Sequence, residues 1–296
     1  MRSDGALSAI PDLDLACRVA VGAAEAAGAL LRDRVTHRPG MRVKNTTGDI
    51  VTDLDLAAEQ LIIGRIRAAF PGHEIIAEES GVLGADGGGG RCTWLVDPID
   101  GTNNVAIRLP AYVVGIALCA AHLPVLGVVH DPVAGQTWSA IRRAGAYGPA
   151  GRLQSPACRP APYGPVLAWT QGHDVPRDDP AARALKLVLE EAARRVLQLW
   201  APLVSWVMLA RGDIDGIVGY RAEAVDLPAG ALIAMEAGLT IRGLDGRPFD
   251  DRIGQRDEDR SFVASHPGNI DRLLKLVAAA GRIESQVARL PATAKW

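Results

Sequence analysis

The sequence predicts an α/β protein with an antiparallel component, on three observations. Two apolar runs, EIIAEES (Glu74 to Ser80) and WLVDPIDGTNN (Trp94 to Asn104), have strand character and end in carboxylates. Three more strand-like runs follow one another across short turns between Tyr112 and Arg143, and beyond Ala150 helical and strand-like segments alternate. At 296 residues the chain exceeds one average domain and suggests two layered halves, placed at 1–150 and 151–296.

Taken in order, the alanine-rich stretch from Leu13 to Val35 reads as a helix, closed by a loop with Pro39 and Gly40. In VTDLDLAAEQLIIGRIRAAF, apolar residues recur at helical spacing (Leu54, Ala58, Leu61, Ile62, Ile66, Phe70) behind a natural N-cap, Thr52, with Asp55 three positions on. After the strands ending at Glu78 and Asp97 come YVVGIALCA, PVLGVVH and QTWSAIRR as successive strands; Gly87 to Gly90 reads as a loose loop. A turn-rich AGAYGPAG leads into the second half. There the spacing predicts helices over Pro180 to Leu197, Leu203 to Arg211, Ala229 to Ala237 and Ile270 to Ala280, and strands over Gly164 to Thr170, Gly216 to Tyr220 and Leu239 to Arg242. That alternation suits a mixed or parallel sheet covered by helices.

Composition excludes several classes. A hydrophobic content of 48% with a net charge of −2 describes a globular protein without the basic footprint of a nucleic-acid binder. No apolar run of about 18 residues exists to span a bilayer and no leader-like segment opens the chain, so a cytoplasmic protein is expected. Cys17, Cys92, Cys119 and Cys158 lie far apart, which favours free thiols over disulfides or zinc.

The carboxylate-ended strands carry the chemistry. Two like charges about 4 Å apart repel by about 4 kcal/mol at an effective dielectric of about 20. Acids gathered at strand ends therefore call for protons or cations, and hard oxygen donors select Mg²⁺, Mn²⁺ or Ca²⁺. Pro98 sits in a turn that can aim Asp97, the Ile99 carbonyl and Asp100 at one point. Gly101 and Thr102 follow where free backbone N–H groups can receive a phosphate. Adjacent cation and anion sites suit metal-assisted phosphate hydrolysis.

These motifs resemble the inositol monophosphatase-like, Mg²⁺-dependent, lithium-sensitive phosphatases. DIVTDLD, AEES, DPIDGTNN and DLPAGALIAMEAG match the family's D-x-VT-x-x-D, GEES, DPIDGTTN and WD-x-AAG segments in order. The resemblance implies a layered αβαβα sandwich of the sugar-phosphatase type. It implies a first Mg²⁺ on Glu78, Asp97 and the Ile99 carbonyl, a second on Asp97, Asp100 and Asp226, and a third, weaker site reached from Glu78 through water. Mn²⁺ could substitute, and Ca²⁺ or Li⁺ is expected to inhibit. Gly101 and Thr102 would hold the phosphate, Thr102 with Asp55 would orient or deprotonate the attacking water, and Lys44 would serve as an auxiliary. A homodimer acting on a small phosphorylated metabolite, with no nucleic-acid or membrane partner, completes the expectation.

Plain structural readings stand beside these. Asp55 suits a first-turn helix acid, Asp226 before Leu227 and Pro228 suits an N-cap, and Glu79 suits a solvated or supporting acid. Asp53 reads as a solvent-facing helix acid, His130 and Asp131 as a strand end and turn, and Arg211 to Asp213 as a helix end closed by glycine. The departures from the family pattern concern the substrate. LWAPLVSW (Leu199 to Trp206) replaces a small turn lining the sugar pocket, and Gly219 falls where inositol phosphatases carry an acid. Trp200, Trp206, Tyr220, Arg221 and Glu223 are the candidates for a remodelled pocket. Sugar, cyclitol, amino-alcohol and nucleoside phosphates remain open, as does 3′-phosphoadenosine 5′-phosphate. A non-catalytic phosphometabolite-binding paralogue and a phosphodiesterase are the competing classes.

Overall fold

The computed structural model describes residues 12–35, 40–44, 49–84, 92–155 and 163–289. The chain opens with α1 (Leu13–Arg34), started where the Asp12 carboxylate accepts the Leu15 N–H at 3.0 Å. Its buried stripe is small, Ala16, Ala20, Ala23, Ala24 and Ala27, which lets the helix lie close on its neighbours. A small hairpin, β1 (Met41–Val43) and β2 (Ile50–Thr52), leads into α2 (Asp53–Ala69). Thr52 and Asp55 form the capping box that their spacing predicts.

Next come β3 (Glu74–Ala77), β4 (Gly81–Leu83), β5 (Cys92–Asp100), the short α3 (Thr102–Ala106), β6 (Val113–Ala120), β7 (Leu123–Asp131), β8 (Gln136–Ile141), β9 (Gly145–Gly148) and β10 (Gly151–Leu153). Their eight strands form one sheet in the order β10-β9-β8-β7-β6-β5-β3-β4, antiparallel except where β3 runs parallel to β5. The rest of the chain supplies β11 (Val166–Gln171), α4 (Pro180–Ala192), β12 (Arg195–Leu197), α5 (Pro202–Arg211), β13 (Gly216–Tyr220), α6 (Pro228–Glu236), β14 (Thr240–Gly243), β15 (Phe262–Ser265) and α7 (Ile270–Val287). Its sheet has the order β12-β11-β13-β15-β14, parallel through β12, β11 and β13 and antiparallel from β13 onward.

Three apolar cores stack these elements into an αβαβα sandwich. One lies between α1, α2 and the eight-stranded sheet, a second gathers α5 and α6 between the two sheets, and a third seats α4 and α7 on the outside of the five-stranded sheet. Helix α6 is buried on every side from Pro228 to Ala234, as a helix filling a middle layer must be. Among the described residues no helix is long and apolar enough to cross a membrane.

Local expectations are corrected in four places. The helix expected over Pro180 to Leu197 ends at Ala192; the Arg194 N–H bonds to the Pro165 carbonyl at 2.8 Å and draws Arg195–Leu197 into the sheet beside β11. The turn-rich 144–151 segment makes β9 and the turn into β10. Strand β15 was not anticipated, and α7 runs on to Val287 instead of ending at Ala280. Cys17 and Cys119 are free thiols and Cys92 is buried, while Cys158 and Gly87 to Gly90 lie outside the described residues.

Candidate metal and phosphate site

A bulge sets the geometry of the acid cluster. Along a regular strand, residues 97 and 100 would face opposite sides of the sheet. In the pairing of β5 with β6, Asp97 opposes Gly115 while Asp100 opposes Val113, so one extra residue on β5 returns both carboxylates to one face. The parallel register of β3 on β5 sets Ala77 beside Val96, and the Glu78 N–H bonds to the Val96 carbonyl at 3.1 Å. Glu78 thus arrives next to Asp97, at the mouth of the same face.

Gly101 turns the chain with φ +105°, in the left-handed region open to glycine. A Cβ there would also stand 2.9 Å from the Ala111 carbonyl oxygen and 3.2 Å from both the Ala201 and Tyr112 Cβ atoms. The chain then enters α3, whose opening N–H groups have no acceptor within the helix.

Asp55 joins this turn to α2. Its Oδ2 accepts the Thr52 N–H at 2.7 Å and the Thr52 hydroxyl, and its Oδ1 receives the Thr102 hydroxyl at 2.8 Å. The Thr102 oxygen also lies 3.0 Å from the Ile99 carbonyl, but it has one proton to give. Asp55 is therefore both a capping acid and a partner of Thr102. Burial raises its pKa, opposed by the hydrogen bonds from Thr52 and Thr102.

Asp97 and Asp100 are buried. Burial, then the charges of Glu78, Asp226 and Asp100, drive the Asp97 pKa well above the ordinary carboxylate range. Burial and Asp226 do the same for Asp100, although Asp100 Oδ2 receives the Leu203 N–H at 2.6 Å and so caps the start of α5 from another element. Asp226 precedes α6 without capping it; its pKa is raised by burial, then by Glu78, Glu223 and Asp49. The N-cap reading of Asp226 is thereby replaced by a carboxylate that faces the cluster.

Lysine 44, at the end of β1, answers part of this charge. Its ammonium bonds to Glu78 at 2.7 Å, pairs with Glu79, and stands 3.9 Å from Asp49. Desolvation opposes its charge, yet Glu78 and Glu79 outweigh it and the Lys44 pKa is raised. Burial lifts Glu79 to about 7 against the pull of Lys44.

Two observations bear on whether a divalent cation fits. Among the described residues Asp97 Oδ1 is buried without a hydrogen-bond partner, and the donors around it are hard oxygens. Both suit a hard ion. Among the described residues, however, no three His, Cys, Asp or Glu side chains stand gathered as a finished ligand shell. Glu78 leans on Lys44 and Asp100 on α5, so ion binding requires these side chains to exchange partners.

The pocket candidates separate. Trp206 is 1% exposed and stacks on Phe262 at 5.0 Å, which makes it a core residue. Tyr220 stacks on Trp169, and Arg221 is engaged by Glu258 at 3.0 Å. Glu223 accepts the His173 N–H at 2.7 Å and lies close enough to raise Asp226, so it borders the cluster. Trp200 is exposed beside the Gly101 turn. At Gly219 a Cβ would meet the Phe262 ring at 2.3 Å, so packing dictates glycine there and the nearby acid is Glu223.

Two supporting residues escaped the sequence reading. Glu59 on α2, 1% exposed, accepts the Glu79 N–H at 2.8 Å and the Ser80 hydroxyl, which anchors the turn carrying Glu78. Arg260 donates to the carbonyls of Ala222 and Gln255 and holds the loop that leads to Asp226. Glu59 was visible only as a charge on the buried face of α2, four residues after Asp55. Of the plain readings, exposed Asp53, the Asp131 turn bonded to Val133 and Ala134, and the left-handed Gly212 helix stop all match the structure.

Residues 12–282 match the family model described as the inositol monophosphatase family. The chain is 32% identical to the protein named Nus factor SuhB of Haemophilus influenzae over 228 residues, 77% of this chain and 84% of that one. It is 30% identical to inositol monophosphatase 1 of Solanum lycopersicum over 240 residues, 78% of this chain and 85% of that one. A solved inositol monophosphatase from Anabaena (Nostoc) sp. PCC 7120 superposes with a TM-score of 0.75 at 25% identity, covering 90% of this chain and 96% of that one.

Proposed function

Because the chain belongs to the inositol monophosphatase family and is a phosphatase of that kind, we propose that it hydrolyses a small phosphate monoester with the help of Mg²⁺. The observation that carries this reading is the bulge that turns Asp97 and Asp100 to one face, with Glu78 at the adjoining strand end and Asp97 Oδ1 unpartnered. Glu78, Asp97 and the Ile99 carbonyl would hold one ion, and Asp97, Asp100 and Asp226 a second; Glu78 would reach a third through water. Bound there, Mg²⁺ offsets the charge of the phosphoryl oxygens and acidifies the attacking water.

The chain's own groups do the rest. The Gly101 and Thr102 N–H groups hold the phosphate at the opening of α3. With its hydroxyl hydrogen donated to Asp55, the Thr102 oxygen accepts a hydrogen bond from the attacking water and fixes its direction; as the water attacks, its proton passes to Thr102 while the Thr102 proton passes to Asp55. The raised pKa of Asp55 makes it a better proton acceptor than an ordinary carboxylate. Water attacks in line with the ester P–O bond, which breaks as the new P–O bond forms; the leaving alkoxide takes a proton from solvent water, and Asp55 returns the proton it gained to solvent. Lys44 holds Glu78 and Glu79 between turnovers. The protein acts as a homodimer on a small metabolite, without nucleic-acid or membrane partners.

Phosphate release from inositol, fructose and histidinol phosphates, AMP and 3′-phosphoadenosine 5′-phosphate, with and without Mg²⁺, tests this. Mg²⁺-dependent turnover of one monoester, with bis(4-nitrophenyl) phosphate left intact, is expected. Tight binding of a monophosphate without turnover would favour a binding paralogue instead, a reading kept in view because one relative is named a Nus factor.

A further inference from the structure

Trp200 combines exposure with backbone strain. It is 57% exposed, and its φ of +54° is a left-handed conformation that bulky residues rarely adopt. Such strain persists only where the surroundings impose it. Here both neighbours are fixed on the candidate phosphate turn. The Leu199 carbonyl receives the Asn104 amide at 2.6 Å, Ala201 packs on Gly101, and the Leu203 N–H is held by Asp100. The segment 199–203 is thus tied to the cluster at three points, and the residue at its crest is a large aromatic.

Arg221 also has positive φ near the cluster, but its N–H bonds to Ser261 and its guanidinium to Glu258. Trp200 differs. Among the described residues no ring stacks on its indole and no cation lies over it. A strained backbone that leaves an unstacked indole beside a phosphate-binding turn suits a group that completes its packing when a ligand arrives. The matching ligand surface is flat and π-rich.

We propose that Trp200 determines specificity by stacking on a planar, aromatic or heteroaromatic leaving group, so that monoesters bearing such a ring are preferred over those of non-planar polyols. The inference rests on the monoesterase reading for its assignment of the turn, and it adds the class of substrate. Stacking of one ring on an aromatic side chain corresponds to on the order of tenfold in affinity.

The test compares wild type, Trp200→Gly and Trp200→Phe. Glycine suits the left-handed backbone and so removes the ring without imposing strain. Binding of AMP, histidinol phosphate and inositol 1-phosphate is measured by calorimetry with Ca²⁺ replacing Mg²⁺, and kcat and KM are measured separately with Mg²⁺. We expect at least one ring-bearing ligand to bind more tightly than inositol 1-phosphate. Trp200→Gly should weaken that ligand about tenfold, mainly through KM, with the melting temperature not lowered and inositol 1-phosphate affected far less; Trp200→Phe should retain most of the affinity. Equal weakening of all ligands, no ring preference in wild type, or a change of oligomeric state in place of a change in affinity overturns the proposal. Trp200-dependent binding without turnover would uphold it and sink the hydrolase reading; turnover without ring preference would do the reverse.

Discussion

Thr102 shows how much one hydroxyl can decide. Its single proton lies between Asp55 Oδ1 and the Ile99 carbonyl, and in the proposed mechanism it goes to Asp55 while the oxygen accepts from the attacking water. Thr102→Val should therefore lower kcat by about 10² while KM changes little, because general-base assistance is typically worth about 10²–10⁴. Steady-state kinetics check this, and an equal rise in KM would place Thr102 in ground-state binding. The acids make a second prediction. Asp97, Asp100, Asp226 and Glu79 have folded-state pKa values raised above their unfolded ones, so the native state holds protons that the unfolded state has already released. Their contribution to stability is greatest at low pH and declines as pH rises from about 4, the ordinary carboxylate range. For Glu79 the decline extends to about 7. Without divalent cations this group should destabilise the fold most at pH 7 to 8. Mg²⁺ should raise the melting temperature strongly there and weakly near pH 5; an equal gain at both values would contradict the coupling.

Elements bring these side chains together, and the sequence discloses that only in part. The helix of α2, its capping box and the two carboxylate-ended strands were legible because periodicity and capping are local. The bulge between Asp97 and Asp100 was legible only as a proline turn, since its one-residue count appears against β6. The end of α4 was hidden for a related reason: nothing local stops the helix, and it is pairing with β11 that draws Arg195–Leu197 into the sheet. Trp206 illustrates the limit for the site. An aromatic in the substituted segment looks like a pocket wall until α5 turns it onto Phe262. At the turn between β5 and α3, Gly101→Ala meets both a positive φ and the Ala111 carbonyl. Backbone strain of this kind costs about 1–3 kcal/mol. The variant should melt several degrees lower and lose phosphate turnover, as followed by thermal denaturation and phosphate release. A variant of native stability and activity would show that the turn does not need its glycine.

At the scale of the whole molecule, the candidate site lies where the two sheets and the middle helical layer meet. The eight-stranded sheet supplies Glu78, Asp97 and Asp100, the loop after β13 supplies Glu223 and Asp226, and the start of α5 is tied to Asp100. Four ordered motifs made the family and the layered fold readable without coordinates. The substrate was not readable, because its walls come from loops whose meeting depends on the packing of all five layers. The most direct measurement of the central claim is the rate of phosphate release from one accepted monoester as Mg²⁺ is titrated into metal-free wild type and Asp100→Asn. The account predicts a saturable Mg²⁺ requirement in wild type. In Asp100→Asn it predicts a fall in rate of at least about 10², with the folded state at least as stable because a buried charge is removed. Full activity without Mg²⁺, or an Asp100→Asn variant that turns over like wild type, would contradict it.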